Sequence, residues 1–90
     1  MSLIVTAEAT AAMKQFLHTQ DRKEDQVLRL ISDGAGNHGF RLDSPKANDQ
    51  IVEHQGEPVM VIEPSISNDL ADNILDLKET PFGVSLTLYK

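Results

Sequence analysis

The spacing of apolar residues predicts two helices. The first is predicted over Ala7–Gln20 with Thr6 as its N-cap, because a threonine hydroxyl accepts a hydrogen bond from a free amide of the first turn. Its apolar face consists of Ala9, Ala12, Met13, Phe16 and Leu17. A second, shorter helix is predicted from Pro64, since proline suits the first turn of a helix. Its inward-facing residues are Ile66, Leu70 and Ala71.

Seven segments of alternating or continuous apolar residues predict strands. They are Leu3–Val5, Val27–Asp33, Gly39–Asp43, Ile51–His54, Pro58–Glu63, Ile74–Leu77 and Val84–Tyr89. Glycine-rich turns predict hairpins around residues 34–39 and 55–56, and Val59–Ile62 is apolar on both faces, which is typical of a strand covered on both sides. The order β-α-β-β-β-β-α-β-β predicts one α+β, β-rich domain over residues 1–90, a sandwich or pseudobarrel of mostly antiparallel strands with two helices.

Composition excludes several classes of function. The net charge of −6 argues against a nucleic-acid or anionic-membrane binder, because such proteins present basic patches. The chain contains no cysteine, which excludes disulfides, thiolate metal sites and thiol nucleophiles. The apolar start at residues 3–5 is too short for a signal peptide, and no segment reaches the roughly 20 apolar residues of a membrane-spanning helix. We therefore expect a cytoplasmic protein.

Four segments together resemble the A-type iron–sulfur carrier, or HesB-like, domain. They are LIVTAEATAAMKQFL, LRLISDGAGNHGFRL, GEPVMVIEPSI and NILDLKETPFGVSL, which follow the family's order over nearly the whole chain. The resemblance implies a HesB-like fold, a connection with iron–sulfur cluster assembly and a tendency to form homodimers.

The same resemblance shows where this chain departs from the family. The family's glycine loop reads Gly-Cys-Ser-Gly and its cysteine is a ligand, whereas aligning Gly34 with the first glycine places Ala35 at that position. The family also ends in a Cys-Gly-Cys segment that supplies the remaining ligands, and the sequence ends at Lys90 before such a segment begins. Because clusters are held by thiolates, the expectation is a domain with no cluster or other cofactor of its own.

The loop of Asp33, Gly34, Ala35, Gly36, Asn37 and His38 remains the candidate site. An imidazole and a carboxylate suit a borderline divalent ion, so the alternative function is binding of a metal ion or small ligand by this loop. The simpler interpretation is an exposed turn histidine, because one imidazole and one carboxylate do not complete a coordination sphere. The glycines have a local explanation in the positive φ of tight turns.

The other polar groups favour structural roles. His18 is expected to complement the dipole at the helix end, and His54 is expected to face solvent. Asp69, Asp72 and Asp76 would share a face only on one continuous helix, which we expect to break near Asp72, with Asp76 anchoring a turn or a backbone amide. The segment 21–25 is expected to be a solvated connector.

No catalytic motif is present in the sequence. No P-loop, dinucleotide fingerprint or nucleophile–base pairing is visible, so the sequence does not predict an enzyme. The preferred interpretation is a non-catalytic domain that acts by binding an unknown protein partner and forms a homodimer, since the domain is small and its final strand is apolar.

Overall fold

A computed structural model describes residues 3–90, which form two helices and seven strands. The elements are β1 (Ile4–Val5), α1 (Ala7–His18), β2 (Val27–Ser32), β3 (His38–Asp43), β4 (Gln50–His54), β5 (Glu57–Ile62), α2 (Pro64–Asp69), β6 (Ile74–Thr80) and β7 (Gly83–Tyr89). The predicted order of elements is confirmed. The helix α1 ends two residues earlier than expected, and β6 extends three residues further, because residues 78–80 pair with residues 83–85 of β7.

The two ends of α1 are fixed by specific side chains. At the N-terminus the Thr6 hydroxyl accepts a hydrogen bond from the Ala9 amide at 3.2 Å, as expected of an N-cap. Beyond the C-terminus, Arg22 Nε donates to the Leu17 carbonyl at 3.0 Å, and its Nη1 donates to the Gln26 carbonyl at 2.7 Å. The expectation of a merely solvated connector is therefore wrong for Arg22, which ties this segment to the end of the helix.

The strands form two open sheets. The smaller sheet has the order β1-β6-β7 and the larger sheet has the order β3-β2-β5-β4. The pairs β2/β3, β4/β5 and β6/β7 are antiparallel, as the predicted hairpins require, whereas β1/β6 and β2/β5 are parallel. Both parallel pairs join strands far apart in sequence, so hairpin signals gave no indication of them.

The core lies where α1 meets both sheets, since α1 contacts β2, β4 and β5 of the larger sheet and β6 of the smaller one. Ala9, Met13 and Leu17 are buried on the helix, as the helical spacing predicted. Phe16 was expected on the same buried face but is 46% exposed and lines an open cavity. Each residue of the predicted two-sided strand, Val59–Ile62, is fully buried.

Arg29 is fully buried in β2, with apolar residues on both sides of it in the strand. Since β3 and β4 are the two outer strands of the larger sheet, the connection between them must pass the central strands β2 and β5. Arg29 holds that connection. Its guanidinium donates to Asp43 at 2.8 Å, to Asp49 at 3.2 and 2.7 Å, and to the Ser44 carbonyl at 3.1 Å.

These hydrogen bonds satisfy the buried charge and shift the ionisation of both carboxyl groups. The pKa of Asp49 is lowered chiefly by its hydrogen bonds from Arg29. The pKa of Asp43 is lowered first by the Ser44 amide and then by Arg29. In the part of the chain that the structure describes, no helix has the length and apolar character needed to cross a membrane.

Candidate functional site

The loop between β2 and β3 is a tight turn built on two glycines. Ser32 pairs with His38 at the end of the antiparallel ladder, and the Asp33 amide donates to the Asn37 carbonyl at 3.2 Å. Gly34 and Gly36 have φ values of +81° and +90°. An added Cβ at either glycine would meet nothing within 4 Å, so the backbone conformation, and not a shortage of space, explains the glycines.

The Asp33 carboxylate accepts three hydrogen bonds within the loop. Its Oδ1 accepts hydrogen bonds from the amides of Ala35 at 2.7 Å and Asn37 at 3.2 Å, while its Oδ2 accepts one from the Asn37 side chain at 2.8 Å. The Asn37 side chain, followed by the Ala35 amide, lowers the pKa of Asp33. Asp33 thus organises the turn through hydrogen bonds from two backbone amides and one side chain of the same loop.

Ala35 stands at the tip of this turn, where the resemblance aligns it with a ligand cysteine. Its side chain is an exposed methyl group with no donor atom. With Ala35 unable to coordinate and Asp33 occupied by three hydrogen bonds, the donor set of the loop does not fit an iron–sulfur cluster.

His38 begins β3 and lines two neighbouring cavities. The larger cavity, about 540 Å³, lies between α1, the β2–β3 hairpin and the β6–β7 hairpin, and its lining is mainly apolar. The smaller one, about 270 Å³, separates the loop residues Gly36 and Asn37 from Leu86 and Leu88 of β7. The structure therefore brings the candidate loop next to the final strand, which the sequence did not predict.

The three histidines have separate surroundings. His18 Nε2 lies 3.5 Å from Glu57 Oε2, which also lies 3.6 Å from Lys14 Nζ. His54 was expected to face solvent, but it is half-buried and its Nδ1 lies 2.9 Å from the Thr10 hydroxyl. Within residues 3–90, no three histidine, aspartate or glutamate side chains are grouped so that they could hold a metal ion.

Asp69 and Asp76 do not share a helix, as expected, since Asp69 ends α2 while Asp76 lies in β6. Asp76 accepts hydrogen bonds from the Thr6 hydroxyl at 2.7 Å and from the Leu77 amide at 2.8 Å, which confirms that it anchors a backbone amide. The Thr6 hydroxyl is the main cause of the lowered pKa of Asp76. This contact joins the start of α1 to the smaller sheet.

Comparison with known proteins gives matches among solved structures only. No family model matches the chain, and no curated protein matches it by sequence. A crystal structure of IscA with the [2Fe-2S] cluster superimposes with a TM-score of 0.65 at 16% identity, covering 98% of this chain and 84% of that one.

A second solved structure gives the same result. Escherichia coli SufA, which is involved in biosynthesis of iron–sulfur clusters, superimposes with a TM-score of 0.63 at 17% identity, covering 100% of this chain and 86% of SufA. Both neighbours are A-type iron–sulfur carriers, so the resemblance stated from the sequence is confirmed at the level of the fold. The chain has the HesB-like fold of IscA and SufA, and its 90 residues contain no cysteine.

Proposed function

We propose that this chain is a non-catalytic, cytoplasmic protein with the carrier fold that acts by binding another protein and holds no cluster through its own side chains. The observation that carries the proposal is the combination of the IscA and SufA fold with the absence of cysteine. Thiolates supply the ligands of iron–sulfur clusters, with histidine as an occasional substitute on one iron. The glycine turn is present in this chain, but Ala35 at its tip has no donor atom.

Anaerobic reconstitution tests the absence of a cluster. The protein is incubated with iron(II), sulfide and a thiol-free reductant, desalted, and examined for visible absorption, iron and sulfide. SufA treated in parallel is the positive control. We expect iron and sulfide to separate from this chain while they stay with SufA. Stoichiometric iron and sulfide that remain with the chain, together with visible absorption bands, would contradict the proposal.

The binding partner belongs to the same proposal. The fold relation to assembly proteins supports a partner that takes part in iron–sulfur cluster assembly, and the small size of the domain supports homodimer formation. Calorimetric titration with purified scaffold and acceptor proteins of the same organism measures the first interaction. Saturable binding to at least one of them is expected, and an absence of heat with all of them removes this class of partner.

Binding of a small ligand beside His38 is the second candidate function. It is supported by the position of His38 in the lining of two cavities, one of which, at about 540 Å³, is within the size range of small-molecule sites. The metal-ion version has less support, because Asp33 is occupied by the loop. Calorimetry with iron(II), zinc and manganese, on wild type and His38→Ala, tests it. No saturable heat, or equal heat from both proteins, eliminates the metal-ion version.

A further inference from the structure

Four strands lie at the outer edges of the two sheets, and three of them carry features that discourage pairing with another strand. The strand β1 has only two residues. The strand β3 includes the charged residues Arg41 and Asp43. The strand β4 includes Glu53 and has an irregularity in its register at that residue. Shortness, charge and bulges are the usual means by which exposed edges avoid pairing.

The fourth edge strand, β7, has none of these features. Its seven residues, GVSLTLY, include no charge and no proline, and they pair with β6 in an unbroken register from Gly83 to Tyr89. In the described part of the chain, β6 is the only strand that pairs with β7. A long, regular and uncharged edge is a template for pairing with another strand.

We propose that β7 is the surface at which two copies of this chain pair, antiparallel, about a two-fold axis. The inference rests on the homodimer of the proposed function and names the surface that forms it. The paired edges would join the two smaller sheets into one continuous sheet of six strands, in the order β1-β6-β7-β7-β6-β1. Such an interface is isologous, so each β7 residue meets a β7 residue of the second copy.

The alternation along β7 selects the register. Val84, Leu86 and Leu88 form the inner face, while Ser85, Thr87 and Tyr89 form the outer face. With Leu86 opposite its own copy, Ser85 meets Thr87, Val84 meets Leu88 and Gly83 meets Tyr89, so all seven residues are paired. This register keeps apolar residues beside apolar ones and places hydroxyl side chains opposite each other, which is a favourable cross-strand pair.

Charge and exposure favour a second copy as the occupant. Two chains of net charge −6 repel each other, so they should meet where neither carries a charge, and β7 meets this condition along its whole length. Val84 is 61% exposed and, with Leu86, borders the apolar cavity of about 540 Å³. The second copy would continue this apolar face beyond the edge, which would remove Val84 from water.

Sedimentation velocity over about 1–200 µM protein tests the proposal. An interface of one strand pair and its apolar face belongs to the small class of interfaces, so we expect a reversible dimer with micromolar dissociation. The double substitution Ser85→Lys with Thr87→Lys places two pairs of like charges directly opposite each other in the proposed register. We expect the dimer to dissociate about tenfold more readily, because like charges directly opposite each other destabilise a strand pair.

Two further variants separate this local effect from a change in total charge. Glu53→Lys on the exposed surface of β4 changes the net charge by the same two units and should leave the dimer unaffected or stronger. Ser85→Glu with Thr87→Lys keeps the net charge and places opposite charges against each other in the dimer, so it should tighten association. Within each chain of this second double variant, the introduced glutamate faces Lys78 and the introduced lysine faces Asp76, so both pairs have opposite charges. Circular dichroism checks that each variant is folded.

The possible results have distinct consequences. A dimer that is equally stable in wild type and in both double variants overturns the β7 surface while leaving the homodimer itself intact. A wild-type protein that stays monomeric at every concentration overturns both the surface and the homodimer. Neither result affects the absence of a cluster, which reconstitution measures independently.

Discussion

Removing one partner of the buried Arg29 should strongly destabilise the fold. The perturbation is Asp49→Ala. In the native protein the Asp49 side chain is 3% exposed and accepts two hydrogen bonds from the guanidinium, at 3.2 and 2.7 Å, and a third from the Lys46 amide at 2.7 Å. The substitution leaves a fully buried guanidinium with only Asp43 and one carbonyl as partners.

The magnitude follows from the cost of an incompletely paired buried charge. Breaking a buried ion pair by removing one partner costs about 3–5 kcal/mol. The substitution also removes the hydrogen bond from the Lys46 amide, which loosens the connection between β3 and β4. We therefore place the effect in the upper part of that range. Because single domains have a total stability of roughly 5–15 kcal/mol, this change should bring the protein close to unfolding.

Urea denaturation followed by circular dichroism measures the free energy of unfolding. Asp43→Ala is the graded comparison: Asp43 is more exposed and makes a single bond to Arg29, so its loss should cost about 1.5–3 kcal/mol. Asp21→Ala, on the exposed connector, should change stability by less than about 0.5 kcal/mol. A cost below about 1 kcal/mol for Asp49→Ala would refute the role assigned to this ion pair.

Three further predictions concern pH, the loop and the helix cap. The pKa of Asp49 in the folded protein lies below its ordinary value of 3.8. The stabilising contribution of Asp49 is therefore complete above pH 3.8 and is lost as the pH falls through the folded pKa. Urea midpoints should decrease less between pH 7 and pH 3 in Asp49→Ala than in wild type. Gly36→Ala should lower the free energy of unfolding, measured by urea denaturation, by about 1 kcal/mol because Gly36 has a positive φ. Gly39→Ala should be nearly neutral, because a Cβ at Gly39 would make only an ordinary van der Waals contact. Equal effects of the two substitutions would contradict the conformational explanation. Thr6→Val should lower stability by about 1–2 kcal/mol through loss of the cap, and an unchanged thermal midpoint would show that the cap is dispensable.

The sequence predicted most of the local structure because the responsible signals lie within a few residues of each other. Thr6 and the spacing of Ala9, Met13 and Leu17 located the first helix. Gln55 and Gly56 located a hairpin, and both have the positive φ that such a two-residue turn requires. The glycine loop was likewise located, with its ladder and tight turn, from Gly34 and Gly36.

The candidate site was predicted less completely. The sequence placed Asp33 and His38 near each other, but it did not show that the loop amides occupy the Asp33 carboxylate. Arg29 was missed as a buried charge, although a single arginine within the apolar VLRLI segment, followed by Asp43 and Asp49, is a signal that could have indicated a buried ion pair. Phe16 was assigned to the core because helical spacing cannot tell which side of an apolar face is covered: the side with Ala9, Met13 and Leu17 is buried, whereas Phe16 is exposed.

The sequence by itself determined the absence of thiolate ligands, the acidic surface and the order of helices and strands, since composition and short-range periodicity depend on no distant contact. Only the tertiary structure decided that β2 lies parallel to β5, that Arg29 holds the connection between the outer strands, and that β7 lies at the edge of its sheet beside the glycine loop. Each of these depends on residues far apart in the chain. These contacts are stabilised by burial and strand pairing that exist only once the two sheets have assembled.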